Sequence, residues 1–318
     1  MHTLSRKTFL RQITLAGLGT AAAGPSLIGR SVPASLANVL PNTKIGLQLY
    51  TIIPLLQKDF EGTLNTLAEI GYRELEFAGP YHFSAGDPGE NNGFYGHSPG
   101  EMRSLLDRLE MTGPAAHVGL DTLRANLPQT LETAHTVGIN YVVCPFLAAD
   151  ERQSLDDYRS VASELNEIGA ECAKAGIRLG YHNHSFEFAE MEGEIPFNML
   201  LELTDPELVS MELDLFWITV AGFDPVDYFE SYPGRFHSVH VKDIKKKMVL
   251  DHPAEMESMK QAVANLADAG KGVIDFERIL SHHRQAGIEH YFVERDFPAN
   301  PMETVRNAYA FLSRLELK

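Results

Sequence analysis

The sequence predicts an α/β chain: a single-domain (β/α)8 TIM barrel preceded by an N-terminal export signal. Three observations carry that prediction. Past residue 43, short apolar runs alternate with amphipathic helical stretches eight times over. Helix stop signals recur as Glu69-Ile70-Gly71, Val137-Gly138, Ala175-Gly176 and Ala286-Gly287, each with Gly just before the next strand. Four late segments, GYHNHSFEF (180–188), SMELDLFW (210–217), FHSVHVKD (236–243) and HYFVERD (290–296), each read as a strand ending in metal-binding side chains. A closed parallel barrel gathers its strands' C-terminal ends at one mouth, where its chemistry sits.

Taken in order, the chain opens with residues 1–37. Ser5 to Arg11 (SRKTFLR) precede an apolar run from Ile13 to Ala23, and a small-residue stretch ends at Ser35-Leu36-Ala37. This is the pattern of a signal peptide. It resembles a twin-arginine leader, with Lys7 where the second Arg belongs. The apolar run is too short for a bilayer core of roughly 30 Å. The expectation is export to the periplasm, with no membrane contact after processing.

The barrel is expected over residues 44–318. Its strands read as Lys44 to Thr51, Glu74 to Gly79, Ala115 to Leu120, Tyr141 to Leu147, Arg178 to His184, Val209 to Phe216, Phe236 to Asp243 and His290 to Asp296. Between them lie helical patterns such as Phe60 to Ile70, Glu101 to Met111, Leu127 to Val137 and Leu155 to Ala175. Two long connections, Pro80 to Ser98 and Ile244 to Gly270, are expected to overhang the mouth as lids or substrate walls. Gly270-Lys271-Gly272 follows a helix, so it reads as a turn into the seventh helix with Asp275 near its N-cap. No G-x-G-x-x-G follows the first strand, which removes the dinucleotide-binding alternative.

Composition narrows the partners. The 318 residues are 44% hydrophobic and carry a net charge of -16, and the leader holds four cations and no acid, so its removal takes the charge to -20. A phosphate backbone is held by clustered Lys and Arg, so nucleic acid is not an expected partner. Cys144 and Cys172 sit in an apolar strand and a helix and read as buried free thiols, a bridge staying open in an oxidising compartment.

Side chains alternate across a strand, so His182 and His184 share a face, as do Glu212 and Asp214, His240 and Lys242, and Glu294 and Asp296. Asp214, His240 and Glu294 offer two oxygens and one imidazole nitrogen on strand ends. That donor set suits Mn²⁺, Mg²⁺, Co²⁺ or Zn²⁺. Glu76 and His117 at the ends of the second and third strands, Trp217 as a stacking wall, and Lys242 beside His240 are the substrate-binding candidates. The run Lys245 to Lys247 reads as solvated surface.

The HVKD, LDLFW and VERD phrases resemble the sugar phosphate isomerase/epimerase family with a xylose-isomerase-like barrel, over about residues 44 to 318. The resemblance implies a divalent metal held by His182, Asp214, His240 and Glu294, with His182 replacing the family's usual Glu inside a YHNH phrase found in one branch. It also implies enediolate chemistry on a sugar or polyol, and the expected export adds that this substrate is unphosphorylated. Glu294 would serve one face of that planar intermediate, and Glu187 or His184 the other. Two other readings stay open: a lyase or hydrolase of a 3-keto-glycoside, and a sugar-binding barrel without turnover. A small carbohydrate is the expected partner, and self-association is compatible with all three.

Overall fold

The computed structural model describes residues 45–78 and 94–317. The leader expected over residues 1–37 and most of the Pro80 to Ser98 loop lie outside the described residues. The strands are β1 Ile45–Gln48, β2 Glu74–Ala78, β3 Thr112–His117, β4 Tyr141–Cys144, β5 Arg178–His182, β6 Val209–Asp214, β7 Phe236–Val241, β8 Asp243–Ile244, β9 Leu266–Ala267 and β10 His290–Val293. The helices are α1 Ile53–Lys58, α2 Phe60–Ile70, α3 Pro99–Arg108, α4 Leu120–Val137, α5 Leu155–Lys174, α6 Pro196–Leu203, α7 Leu215–Val220, α8 Pro225–Ser231, α9 Met256–Val263, α10 Phe276–Leu280, α11 His283–Ala286 and α12 Pro301–Leu312.

Eight strands close in the order β1-β10-β7-β6-β5-β4-β3-β2. Closure is carried by β1, where Gly46 stands opposite Glu74 of β2 on one side and Phe292 of β10 on the other, both pairings parallel. This is the TIM barrel the sequence predicts. The outward faces of the strands, including Leu47, Leu75, Phe77, Leu179, Met211, Leu213, Val239, Val241 and Val293, join one large apolar cluster with the helices. A second, small cluster of Ala115, Tyr141, Val143 and Phe292 lies apart from it. These four occupy the alternate, inward positions of β3, β4 and β10, so they plug the lumen.

Element boundaries shift where local chemistry overrides pattern. The third strand starts at Thr112 and ends at His117, because Gly119 already caps α4. Helix α4 runs back to Leu120 rather than starting at Leu127, and breaks at Asn126 (φ -138°, ψ 29°) two residues before Pro128. Proline lacks the N–H that would continue the ladder and crowds the preceding turn. The sixth strand stops at Asp214 because that side chain accepts from Phe216 N at 2.8 Å and Trp217 N at 2.9 Å, starting α7. Asp275 caps α10 as expected, accepting from Arg278 N at 3.0 Å.

The Ile244 to Gly270 insertion is ordered. It contains α9, and its ends pair as the antiparallel β8–β9 ribbon, Asp243 opposite Ala267. Buried Asp243 ties the exit turn down by accepting from Gly270 N (3.0 Å), Gly272 N (2.8 Å) and Ile274 N (3.1 Å). A Cβ at Gly272 would lie 2.2 Å from the Asp243 Oδ1, so this close approach requires glycine. Lys245, Lys246 and Lys247 are exposed. Cys144 and Cys172 are both buried free thiols. Among the described residues no helix is long and apolar enough to cross a membrane.

Candidate metal centre

Four consecutive neighbours in the barrel, β5, β6, β7 and β10, end side by side and bring His182, Asp214, His240 and Glu294 together. One donor atom of each lies within 4.8 Å of the others, and all four residues are buried. His182 Nε2 is 3.2 Å from His240 Nδ1 and 3.5 Å from Asp214 Oδ2. His240 Nδ1 is 2.9 Å from Glu294 Oε2 and 3.8 Å from Asp214 Oδ2. Ligand bonds of about 2.0–2.2 Å put neighbouring donors roughly 2.8–3.6 Å apart in octahedral or tetrahedral geometry. Three of these four edges lie in that range and the fourth, 3.8 Å, just beyond it, so the residues fit one small divalent ion.

The charges fit as well. Lys242 Nζ sits 3.1 Å from Asp214 Oδ2, 2.5 Å from Glu294 Oε2 and 3.1 Å from Asp296 Oδ2. Three carboxylates against one ammonium leave a formal charge of two minus, which a dication cancels. Burial works against the Asp214 carboxylate, but Lys242, His182 and His240 outweigh it and hold its pKa at about 2. Burial likewise opposes the Lys242 ammonium, and Asp214, Asp296 and Glu294 overcome it, keeping the amine well above its usual range. Glu294 does not pair with Arg295, whose guanidinium turns instead to Asp268 and Thr304.

His240 presents its other nitrogen to a deeper layer. Its Nε2 lies 2.6 Å from Glu76 Oε2 and 3.1 Å from Glu212 Oε2. A proton on Nε2 shared with these carboxylates leaves the Nδ1 lone pair for a metal, the arrangement that orients metal-binding imidazoles. Glu76, a substrate-binding candidate by sequence, faces the lumen as its register implies, fully buried and held by Gln48 Nε2 at 2.8 Å as well as by His240. Burial first, and then the Glu212 charge, push its pKa up to about 8.

Glu187, a catalytic candidate by sequence, has two partners of its own. Tyr181 donates its hydroxyl to Glu187 Oε1 at 2.6 Å and His184 N donates to Oε2 at 2.8 Å. Tyr181 alternates with His182 and belongs to the outer apolar cluster, so Glu187 is drawn to the far side of β5 from the four donors. Desolvation there raises its pKa to about 7.

His184 stays at the mouth, its ring centroid 5.0 Å from that of His182. It stacks on Phe186, meets Phe146 edge-on and leans on Trp217 at 5.4 Å. Its Nδ1 has no hydrogen-bond partner, and burial holds the ring well below the ordinary imidazole range, hence neutral. Trp217 is 3% exposed and forms a wall rather than a free platform, with Lys242 Nζ 5.8 Å from its ring. His117 touches both layers: its Nε2 lies 2.8 Å from Glu212 Oε2, and its ring is 5.3 Å from both His182 and His240.

Sequence reasoning left Glu212, Asp296 and Gln48 out of the site. Glu212 and Asp296 lay on the right faces, two residues from Asp214 and Glu294. Gln48 at the end of β1 carried no comparable signal. Asn183 was likewise unclaimed; its Oδ1 accepts from Asp214 N at 3.0 Å and locks the ends of β5 and β6 together.

The model of the xylose isomerase-like TIM barrel family matches residues 64–315. An inosose dehydratase of Clostridium perfringens is 32% identical over 169 residues, 51% of this chain and 54% of that protein. The chain thus spans about half the length of the first curated relatives it matches. A crystal structure of a sugar phosphate isomerase/epimerase from Parabacteroides distasonis superposes with a TM-score of 0.70 at 25% identity, covering 88% of this chain and 96% of that one. The IolI protein with a bound zinc atom shares the fold at a TM-score of 0.65 and 14% identity, covering 84% and 95%. The chain belongs to the xylose isomerase-like TIM barrel family.

Proposed function

We propose that this barrel is a divalent-metal-dependent enzyme that removes the proton beside a carbonyl group in a polyhydroxylated ring and then expels an oxygen substituent one carbon further on. The observation that carries the reading is the His182, Asp214, His240 and Glu294 quartet, spaced for one ion beneath the half-buried His184 and the Lys242 ammonium. A divalent ion held by the quartet would polarise the substrate carbonyl and acidify the neighbouring C–H.

The remaining roles fall to the chain's own residues. The neutral His184 ring, held among Phe146, Phe186 and Trp217, takes the proton from carbon. The same ring then returns that proton to the departing oxygen, so water or an alcohol leaves and no other reactant is consumed. Lys242 holds negative charge as it develops on the carbonyl oxygen, and Glu294 positions a substrate hydroxyl. Trp217 closes one side against water.

Elimination is favoured over the isomerase or epimerase outcome by two findings. The relatives named inosose dehydratase are named for loss of water from a keto-polyol. In addition, Glu187 is tied to Tyr181, which takes away the second carboxylate that an epimerase would want on the opposite face. The epimerase reading keeps the support of the Parabacteroides neighbour. Export would place the enzyme among unphosphorylated substrates such as keto-inositols and 3-keto-glycosides.

Incubation of metal-loaded protein with an inosose and with an aryl 3-keto-glucoside in deuterated water separates these outcomes. Appearance of an enone or released aglycone, lost on chelation, is the expected result. Deuterium at inverted carbon without elimination supports the epimerase. Neither exchange nor elimination, with metal bound, defeats both.

A further inference from the structure

Below the mouth lies a second cluster with the composition of a metal site. Glu76, His117, Glu212 and His240 bring one donor atom each within 4.8 Å of the others. The edges are 2.6 Å from His240 Nε2 to Glu76 Oε2, 3.1 Å from His240 Nε2 to Glu212 Oε2, 2.8 Å from His117 Nε2 to Glu212 Oε2 and 3.5 Å from His117 Nε2 to Glu76 Oε2. They scatter around the roughly 3.0 Å edge expected for an octahedral dication with bonds of about 2.1 Å.

Two independent features distinguish this cluster from a solvated acidic patch. Glu76 and Glu212 are fully buried, and the groups beside them are neutral or carry at most a proton: two imidazoles, the Gln48 amide and the Ser238 hydroxyl. Two carboxyl groups in such a setting ionise together only where something positive is shared between them. Moreover, Glu76 Oε1 is buried with no hydrogen-bond partner at all, although its Oε2 has two. A cation that takes both oxygens of Glu76 satisfies it.

The geometry points to a second divalent cation site in the lumen, formed by Glu76, His117, Glu212 and the Nε2 of His240, so that the His240 ring bridges two ions. Binding there displaces the proton from His240 Nε2 to solvent and leaves Nδ1 on the mouth ion. Gln48 then donates to the Glu76 carboxylate from outside the coordination sphere. The deep ion fixes the floor of the mouth and adds a positive charge beneath the substrate. It goes beyond the proposed reaction and stands or falls separately from it, since Glu212 and Asp214 belong to different ions.

The test uses the full chain, stripped by chelator, reloaded with Co²⁺ and assayed by elemental mass spectrometry. Two ions per chain are expected in the natural protein, one in Glu212→Gln and one in Asp214→Asn. A single ion that survives Glu212→Gln and disappears in Asp214→Asn overturns the deep site and leaves the mouth site standing. A single ion with the opposite behaviour supports the deep site and defeats the mouth reading, and no ion in the natural protein defeats both. Because a buried substitution can fail to fold, anomalous diffraction from Co²⁺-loaded crystals of the natural protein provides the second measurement. Peaks on both sides of the His240 ring support the proposal, and one peak at Nδ1 alone overturns it.

Discussion

The two faces of the same barrel strands are built to opposite rules. On β2, Leu75 and Phe77 point out into the helix shell, while Glu76 points into the lumen and meets Gln48, His240 and, across the barrel, Glu212. On β6, Met211 and Leu213 are shell residues and Glu212 and Asp214 are lumen residues. The difference shows where each kind of free energy resides. The shell contributes stability through apolar burial, about 1.5–3 kcal/mol for each large side chain. The lumen concentrates buried charge, which stabilises a fold only when every charge finds a partner. Chemistry is thereby confined to one face and the scaffold to the other.

Truncating a shell residue tests that division most severely. Leu75→Ala is expected to cost about 2–5 kcal/mol in denaturant unfolding, as buried leucines do. Its bound metal per folded chain should stay that of the natural protein; a loss of metal would break the separation of the two faces.

Glu187 is the exception that sharpens the comparison, an ionisable group placed in the shell. Its folded pKa of about 7 lies above the ordinary glutamate value of 4.5, so the folded state keeps the proton longer than the unfolded one. The resulting penalty is absent below about pH 4.5, grows as pH rises, and is complete above about pH 7, reaching roughly 3 kcal/mol at 1.36 kcal/mol per unit. Glu187→Gln should therefore gain stability relative to the natural protein across that window. Parallel stability curves for the two proteins from pH 4 to 8 would show that the group is not held as the structure places it.

The smallest effect belongs to a lumen residue next to Leu75. Glu76→Gln preserves shape but removes the carboxyl charge beneath His240 Nε2, and metal affinity at the mouth should fall about 10- to 100-fold, as for other partners of metal-bound histidines. Competition with a fluorescent chelator measures it. An unchanged affinity would mean that Glu76 does not orient His240.

Period-two alternation made much of the site legible, and its limits have one physical origin. His182, Asp214, His240 and Glu294 were placed on inward strand ends from sequence, and the structure gathers them at one mouth. Glu187 lies beyond the end of β5, in the 3-10 turn Phe186–Phe188, where alternation no longer says which way a side chain faces. For Glu76 alternation gave the face and not the depth. Alternation says which side of a strand a residue faces, whereas depth follows from the register between strands. Here His240 pairs with Asp214 and Phe292, which brings Glu76 and Glu212 beneath its ring.

What the sequence determined by itself is the barrel, the mouth and the donor set, because strand and helix periodicities and glycine stops are local properties of the chain. Only the tertiary structure decided that His240 faces two carboxylate layers at once, that Lys242 is shared among Asp214, Glu294 and Asp296, and that Glu187 is claimed by Tyr181. Those outcomes depend on closure of the sheet, which brings side chains as far apart in sequence as Glu76 and His240, 164 residues, within a hydrogen bond of each other.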